Sequence, residues 1–314
     1  MQKVNMPEKS RPVSDCEEPT QNVEEAAQNL PSNDQSSATD LGIVANETAA
    51  KPSQKMNGKP VFVIPSTTVI NFKSGFAHKL LCDGLTFTCG SACAYRCAYC
   101  YVSAILRRNE SIKNIMTDTG LKFSEIVVRR EHAVEQLRGI LAPRGKRKFT
   151  DHGDNRVVYA SPLVDVAANV ELADETVQMC LAILELTHWQ VRLLSKSPLI
   201  LRIADNIPQE YHQRMIYGLS TGTLDDRVAR AIEQGTPSVT KRLQALHALQ
   251  DRGLRTFGML CPILPQANVD EFASRAAEAI RCGQCEHVWA EEHVLGIVFS
   301  TERLFQRHQT RATR

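Results

Sequence analysis

"CGSACAYRCAYCYV", residues 89–102, carries four of the chain's ten cysteines and threads three tyrosines among them. Within it the spacing Cys93-x3-Cys97-x2-Cys100 stands out. Three thiolates this close can hold three irons of a cubic iron–sulfur cluster, which ordinarily takes four cysteines, and so leave one iron open. Closely spaced cysteines also suit tetrahedral zinc, although a structural zinc needs a fourth ligand. A chance cluster of buried thiols is the third reading. The surroundings of the motif must decide among them.

Those surroundings alternate. Short β-rich runs recur at "LTFTC" (85–89), "RVVYAS" (156–161), "QVRLLS" (190–195), "MIYGLS" (215–220), "RTFGML" (255–260) and "HVWAEE" (287–292). Helical patterns lie between them. Val239, Leu243, Leu246 and Leu249 share one face, from a Ser238 N-cap to a stop at Gly253. Val269, Phe272, Ala276 and Ile280 do the same from an Asn268 cap to Gly283, and "ADETVQMCLAILELTHW" (173–189) is a third case. Strand then helix, six times over, predicts βα units around a parallel sheet. The run is too short for an eight-fold barrel of roughly 250 residues. A doubly wound sheet and a partial six-strand barrel both satisfy the pattern. In either, the cysteine loop follows the first strand at its C-terminal end, the face where parallel α/β proteins place their chemistry.

Composition sets wider bounds. The chain has 314 residues, 43% hydrophobic, enough for one large core in one or two domains. Lys plus Arg total 37 against 35 for Asp plus Glu, so the net charge of +2 neither demands nor excludes a nucleic-acid partner. Basic runs at 107–108, 127–132 and 143–148 read as solvated loop or helix faces. No apolar stretch approaches the eighteen or so residues of a membrane span. The N-terminus has no apolar secretory region and turns acidic early, so a cytoplasmic protein is expected. There thiols stay reduced, and clustered cysteines bind metal more readily than they form disulfides. Residues 1–58, polar and poor in large apolar side chains, are expected to form a disordered tail. A lead-in follows over 59–84, the βα body over 85–298, and a short basic C-terminal tail over 299–314, as in a short or truncated form.

Cys-x3-Cys-x2-Cys with an aromatic, Tyr99, before the last cysteine, on the loop after strand one of a βα run, resembles the radical S-adenosylmethionine (SAM) superfamily. The resemblance implies an α/β fold, a partial (βα)6 barrel of the TIM type. It implies a 4Fe–4S cluster on Cys93, Cys97 and Cys100, with SAM bound at the open iron and cleaved to a 5′-deoxyadenosyl radical. The electron would come from an external donor of flavodoxin or ferredoxin type. "CAYCYV", "SPLVDVAANVE" (161–171), "LLSKSPLILR" (193–202), the Glu233-x3-Pro237 turn with Arg242, and "CPILP" (261–265) resemble the spore photoproduct lyase and DNA repair photolyase branch. That branch has a Tyr and a Pro where this chain has Ala167 and Val170. DNA is therefore an implied partner, carried by the resemblance and not by the charge.

The resemblance also implies roles. Tyr99 would pack beside the cluster and the adenine, with Tyr101 near the radical path. Ser161, Lys196 and Ser220 end strands two, three and four and would bind the SAM carboxylate and ribose; a lysine neutralises a carboxylate and serine hydroxyls bond its neighbours. Asp165 and Glu171 would meet ribose hydroxyls or the methionine amine, with helix capping as the alternative. Glu233 and Arg242 would form an ion pair, and Glu291 or Glu292 would face the substrate. Cys261 is the candidate hydrogen-donating thiol; the alternative makes Cys261 and Cys180 small core residues. Cys82, Cys89, Cys282 and Cys285 are a possible second metal set. Two competing functions stay open: a radical SAM modifier of protein, RNA or a small molecule, and a non-catalytic zinc-binding module.

Overall fold

The computed structural model describes residues 52–300 apart from 53, 57, 67, 79–81, 94, 295 and 296. In chain order its strands are β1 (Gln54–Met56), β2 (Lys59–Ile64), β3 (Ile70–Asn71), β4 (Leu85–Phe87), β5 (Gly90–Cys93), β6 (Val127–Arg130), β7 (Val157–Ala160), β8 (Gln190–Ser195), β9 (Met215–Ser220), β10 (Thr256–Ile263), β11 (Val288–Val294) and β12 (Ile297–Ser300). Its helices are α1 (Gly75–His78), α2 (Val102–Ile105), α3 (Glu110–Thr119), α4 (Ala133–Leu141), α5 (Val170–Leu186), α6 (Ile200–Asp205), α7 (Asp226–Ile232), α8 (Val239–Asp251) and α9 (Val269–Ala279).

The six strand runs of the sequence are β4, β7, β8, β9, β10 and β11, adjacent in that order and parallel throughout. Strand order follows chain order without reversal. A doubly wound sheet reverses at a switch point, so this is barrel-type winding. Among the described residues the sheet does not close: β3 and β12 pair antiparallel at its two ends. Of the tail expected over 1–58, residues 1–51 lie outside the described residues, whereas Gln54–Met56 pair with β2. Residues 301–314 of the expected C-terminal tail also lie outside them.

Alternation of period two divides the six strands between two faces. Val158, Ala160, Val191, Leu193 and Tyr217 pack outward with Leu172, Ile183, Ile200 and Leu249 from the helices. Tyr159, Ile216, Phe257 and Met259 point the other way, into the hollow of the sheet, where Ala77 and Cys82 join them. Gly218 makes room for this filling, since a Cβ there would lie 2.1 Å from the Phe257 ring. The helices start where side-chain caps satisfy their first amides. Asn169 Oδ1 accepts from Leu172 N, Ser238 Oγ from Lys241 N and Asn268 Oδ1 from Glu271 N, the last two as the sequence predicts. Gly253, with φ +70°, ends the turn after α8.

A second sheet departs from the sequence reading. Strand one was expected to run to Cys89, but β4 stops at Phe87. Thr88 then bonds Gly90 O through its hydroxyl, and the chain crosses into a four-stranded sheet of order β1-β2-β6-β5. The basic run at 127–132 supplies β6, an interior strand of that sheet rather than a solvated face. Cys93 is the last residue of β5, so the cysteine loop starts from the smaller sheet while lying over the larger one.

Candidate active site

From Cys93 the loop turns back at Arg96, whose φ of +55° is unusual for a side-chain-bearing residue. It is stitched to the segment after α7 by backbone bonds. Ala98 N donates to Ile232 O at 2.9 Å, Gly235 N donates to Tyr95 O at 2.8 Å, and Cys97 forms an isolated antiparallel bridge with Glu233. Cys93, Cys97 and Cys100 are partly buried free thiols, mutually close enough to feel one another's charge. Burial pushes the Cys93 thiol up to about 11, against the opposing pull of the Tyr95 and Asp165 backbone N–H groups. Burial likewise pushes Cys97 up to about 12, opposed by the Lys196 charge.

This donor set fits an iron–sulfur cluster. Burial makes the Cys93 and Cys97 thiolates costly as free anions, a cost that bound iron would offset, and Cys100 is a third soft donor in the same loop. Peptide N–H groups and a lysine already face the sulfurs. Among the described residues no three His, Cys, Asp or Glu side chains converge on a single ion. A cubic cluster places each thiolate on a separate iron and asks for wider spacing than the ligand shell of one zinc.

Glu233 is the hub beside the loop. Its Oε2 accepts from Arg242 Nη2 at 2.5 Å, its Oε1 accepts from the Tyr99 hydroxyl, and Lys196 Nζ stands 4.0 Å from the same Oε1. Lys196 also lies 5.7 Å over the Tyr99 ring. Arg242 further donates to Pro237 O, Ser220 O and Thr236 Oγ1. Burial raises the Glu233 carboxyl, with Arg242 pulling it back down. The expected Glu233–Arg242 pair is therefore present, with Lys196 and Tyr99 attached to it. Thr236 carried no sequence signal; only the fold brings its hydroxyl to Arg242.

The strand ends deliver the other candidates to one face. Ser161, Lys196, Ser220 and Cys261 all fall on the inward phase of their strands, together with Glu291 of β11. The Ser161 hydroxyl sits 2.6 Å from Thr88 Oγ1, and Ser220 Oγ donates to Cys261 O at 3.4 Å. The Cys261 thiol donates to Glu291 Oε2 at 3.4 Å. Tyr101 is 44% exposed, donates to Pro162 O, and lies close enough to Cys100 and Cys261 to sense a charge on either. Tyr159, buried beneath, is within electrostatic reach of Tyr101 and Cys261. The side chain of Glu292 lies outside the described residues.

Asp165 and Glu171 are placed differently. The Asp165 carboxylate is engaged by the protein, accepting from Ser195 Oγ at 2.6 Å, Lys196 N at 2.7 Å and Ala167 N at 3.0 Å. It thereby fixes the end of β8, from which Lys196 projects. Glu171 is exposed in the first turn of α5, where a carboxylate favours the positive helix end. The four further cysteines are dispersed. Cys82 lies within the hollow of the sheet and Cys89 packs on the helix side, 3.6 Å from Thr176 Oγ1. Cys282 is exposed, and Cys285 lies against Gln250. Cys180 is a core residue of α5.

Comparison with known proteins agrees with this fold. The chain resembles a solved spore photoproduct lyase, doubly substituted and holding AdoMet and dinucleoside spore photoproduct, at 14% identity and a TM-score of 0.53 over 81% of this chain. It also resembles a spore photoproduct lyase complexed with dinucleoside spore photoproduct, at 15% identity and a TM-score of 0.50 over 70% of this chain. The matched parts span 66% and 57% of those chains' own lengths. No curated protein matches. The family model described as Radical SAM superfamily matches residues 87–278, from the end of β4 to the last turn of α9, enclosing the cysteine loop and the strand ends that face it. By that match, over most of its length, the chain belongs to the Radical SAM superfamily.

Proposed function

We propose that Cys93, Cys97 and Cys100 hold a 4Fe–4S cluster whose open iron takes SAM, and that the enzyme acts on a pyrimidine photolesion in DNA in the manner of a photoproduct lyase. The observation that carries this reading is the meeting of the three-cysteine loop with Lys196, Ser161 and Ser220 at one end of the parallel sheet. When bound, the reduced cluster and SAM supply a 5′-deoxyadenosyl radical, which removes a hydrogen atom from the substrate.

The chain's own residues bind, orient and shield. Lys196, held by Glu233 on one side and by its Asp165-anchored backbone on the other, offers its ammonium to the SAM carboxylate. Ser161 and Ser220 offer hydroxyls to the ribose. Tyr99, pinned to Glu233, keeps its ring over the cofactor. Cys261, on the inward face beside Tyr101, is the thiol that returns a hydrogen atom to the product radical. The electron comes from an external donor of flavodoxin or ferredoxin type. The DNA-lesion substrate is supported by the motif resemblance and by the dinucleoside bound in the similar lyase structures. Among the described residues no helix is long and apolar enough to cross a membrane.

The test is anaerobic cluster reconstitution, with iron counting, EPR after reduction and an assay for 5′-deoxyadenosine, run beside Cys97→Ala. The expected protein is brown, its reduced EPR signal shifts on adding SAM, and both the signal and SAM cleavage vanish in the variant. Oligonucleotides carrying spore photoproduct or thymine dimers then test the substrate. A colourless zinc protein without SAM cleavage would sink the proposal. A protein that cleaves SAM but leaves every lesion intact would remove the DNA assignment alone.

A further inference from the structure

With Cys82 and Cys89 packed elsewhere, Cys282-x2-Cys285 stands as a pair on its own. Zinc asks for four ligands. Among the described residues no three His, Cys, Asp or Glu side chains converge on one ion. What two neighbouring thiols do without a metal is form a disulfide.

The backbone already holds the two for that bond. Cys282–Gln284 form a 3-10 turn, and Cys285 N closes it by donating to Cys282 O at 3.1 Å. A turn closed in this way keeps its end Cα atoms within about 7 Å, and a disulfide spans about 4.4–6.8 Å between Cα atoms. Side chains three apart on a 3-10 turn lie one above the other. The sulfurs are near enough that a charge on Cys282 is felt at Cys285.

The two thiols are not equivalent. Cys282 is exposed beside Gly283, where an added Cβ would meet open space, so a reagent reaches it from solvent. Cys285 is set inward. Its thiol donates to Ile280 O at 3.7 Å, and Gln250 Nε2 donates to its sulfur at 3.5 Å. Burial pushes the Cys285 thiol up to about 11, against the Thr256 and Gln250 hydrogen bonds. An open thiol that attacks and a sheltered one that follows is the division of labour thiol–disulfide exchange requires. The pair lies just ahead of β11, at the end of the sheet opposite Ser161, Lys196 and Ser220.

We propose that Cys282 and Cys285 form a thiol–disulfide exchange site for a low-molecular-weight disulfide of the glutathione class, Cys282 attacking and Cys285 resolving. The Cys282 thiolate attacks one sulfur of the small disulfide, forming a mixed disulfide and releasing the first thiol. The Cys285 thiolate then attacks the Cys282 sulfur and releases the second. Two protein thiols give up two electrons and two protons, and the small disulfide is reduced to two thiols. Gln250 Nε2 and Thr256 Oγ1 face the Cys285 sulfur and stabilise its charge as it forms. The site goes beyond the activity proposed above and does not depend on it.

The full chain, purified anaerobically with its thiols reduced, is equilibrated with glutathione buffers of graded ratio, quenched, alkylated and digested with trypsin. Cleavage after Arg281 and Arg303 releases one peptide, 282–303, that holds both cysteines and no others. The state of Cys93, Cys97 and Cys100 therefore does not enter the mass reading. Expected is a peptide that loses two hydrogens as the buffer grows oxidising, carries no glutathione, and returns to the dithiol with dithiothreitol. Cys285→Ser should instead hold one glutathione on Cys282. Cys282→Ser should take up glutathione at least tenfold more slowly than the native chain oxidises. Thermal melting confirms folded variants, and the exposure of Cys282 keeps Cys282→Ser sound if Cys285→Ser fails to fold. The proposal is overturned by a peptide that stays a dithiol in the most oxidising buffer, that keeps glutathione in the native chain, or that joins another cysteine peptide. Uptake by Cys282→Ser as fast as native oxidation overturns it too.

Discussion

Arg242 meets Glu233 at 2.5 Å in a site that excludes water from both, with side-chain exposures of 0% and 3%. Buried pairs of this kind contribute little net stability as pairs, yet removing one partner strands a charge. Arg242→Met is therefore expected to destabilise the protein by about 3–5 kcal/mol, read as a lower urea midpoint. The double variant Glu233→Gln with Arg242→Met should recover part of that loss. If the double variant is as unstable as the sum of the two single changes, the pair is not coupled as described.

Lys196 is held by Glu233 and lies over Tyr99, ready for a carboxylate. Replacing it by Met should weaken SAM binding at least tenfold in an equilibrium titration, an effect of about 1.4 kcal/mol or more. Glu171→Ala, on the exposed first turn of α5, should leave that affinity unchanged. Equal affinities for Lys196→Met and the native chain would remove the lysine from the cofactor site.

Cys261 and Tyr101 share the end of the hollow. Cys261→Ala should retain SAM cleavage but lose the correctly reduced product, diverting the substrate radical to adducts visible by mass spectrometry. Tyr101→Phe should slow turnover with a smaller change in product identity. Normal product from Cys261→Ala would place the hydrogen donor elsewhere.

Burial, with the Arg192 charge adding to it, pushes His287 down to about 4, and its ring stacks on Phe257 at 5.1 Å. A folded-state value below the ordinary 6.5 means that the unfolded chain binds the proton more readily. The contribution is complete above about pH 6.5 and is lost as pH falls toward 4. It amounts to roughly 2–3 kcal/mol. Urea midpoints between pH 7 and pH 4 should fall for the native chain and fall less for His287→Phe. Parallel slopes would show that His287 does not drive the acid loss.

Gly218 faces Phe257 across the β9–β10 pair, and an added Cβ would lie 2.1 Å from that ring. Overpacking in a filled core typically costs about 1–3 kcal/mol. Gly218→Ala should lower the melting temperature by several degrees or yield insoluble protein. A melting temperature equal to that of the native chain would mean that Phe257 moves aside freely.

Much of the fold was legible because its signals are local. Helix faces and their Ser238 and Asn268 caps are written in residues three and four apart, and strand runs in residues two apart. The switch of the chain from β4 into a second sheet was not legible. It depends on Thr88 meeting Ser161 and on Val127–Arg130 entering a sheet interior, contacts between segments distant in sequence. Asp165 illustrates the same limit within the site. Its type and position suggested a cofactor contact, whereas the fold engages its carboxylate with Ser195 and the Lys196 amide.

The sequence by itself determined the three-cysteine loop, the number of parallel strands and which strand-end residues share the inward face, since spacing and period carry that information along the chain. Only the tertiary structure decided that Lys196 and Tyr99 join Glu233 and that the second sheet launches Cys93. Those relationships join segments separated by tens to more than a hundred positions. No one-dimensional periodicity encodes them; they exist only once the core has packed.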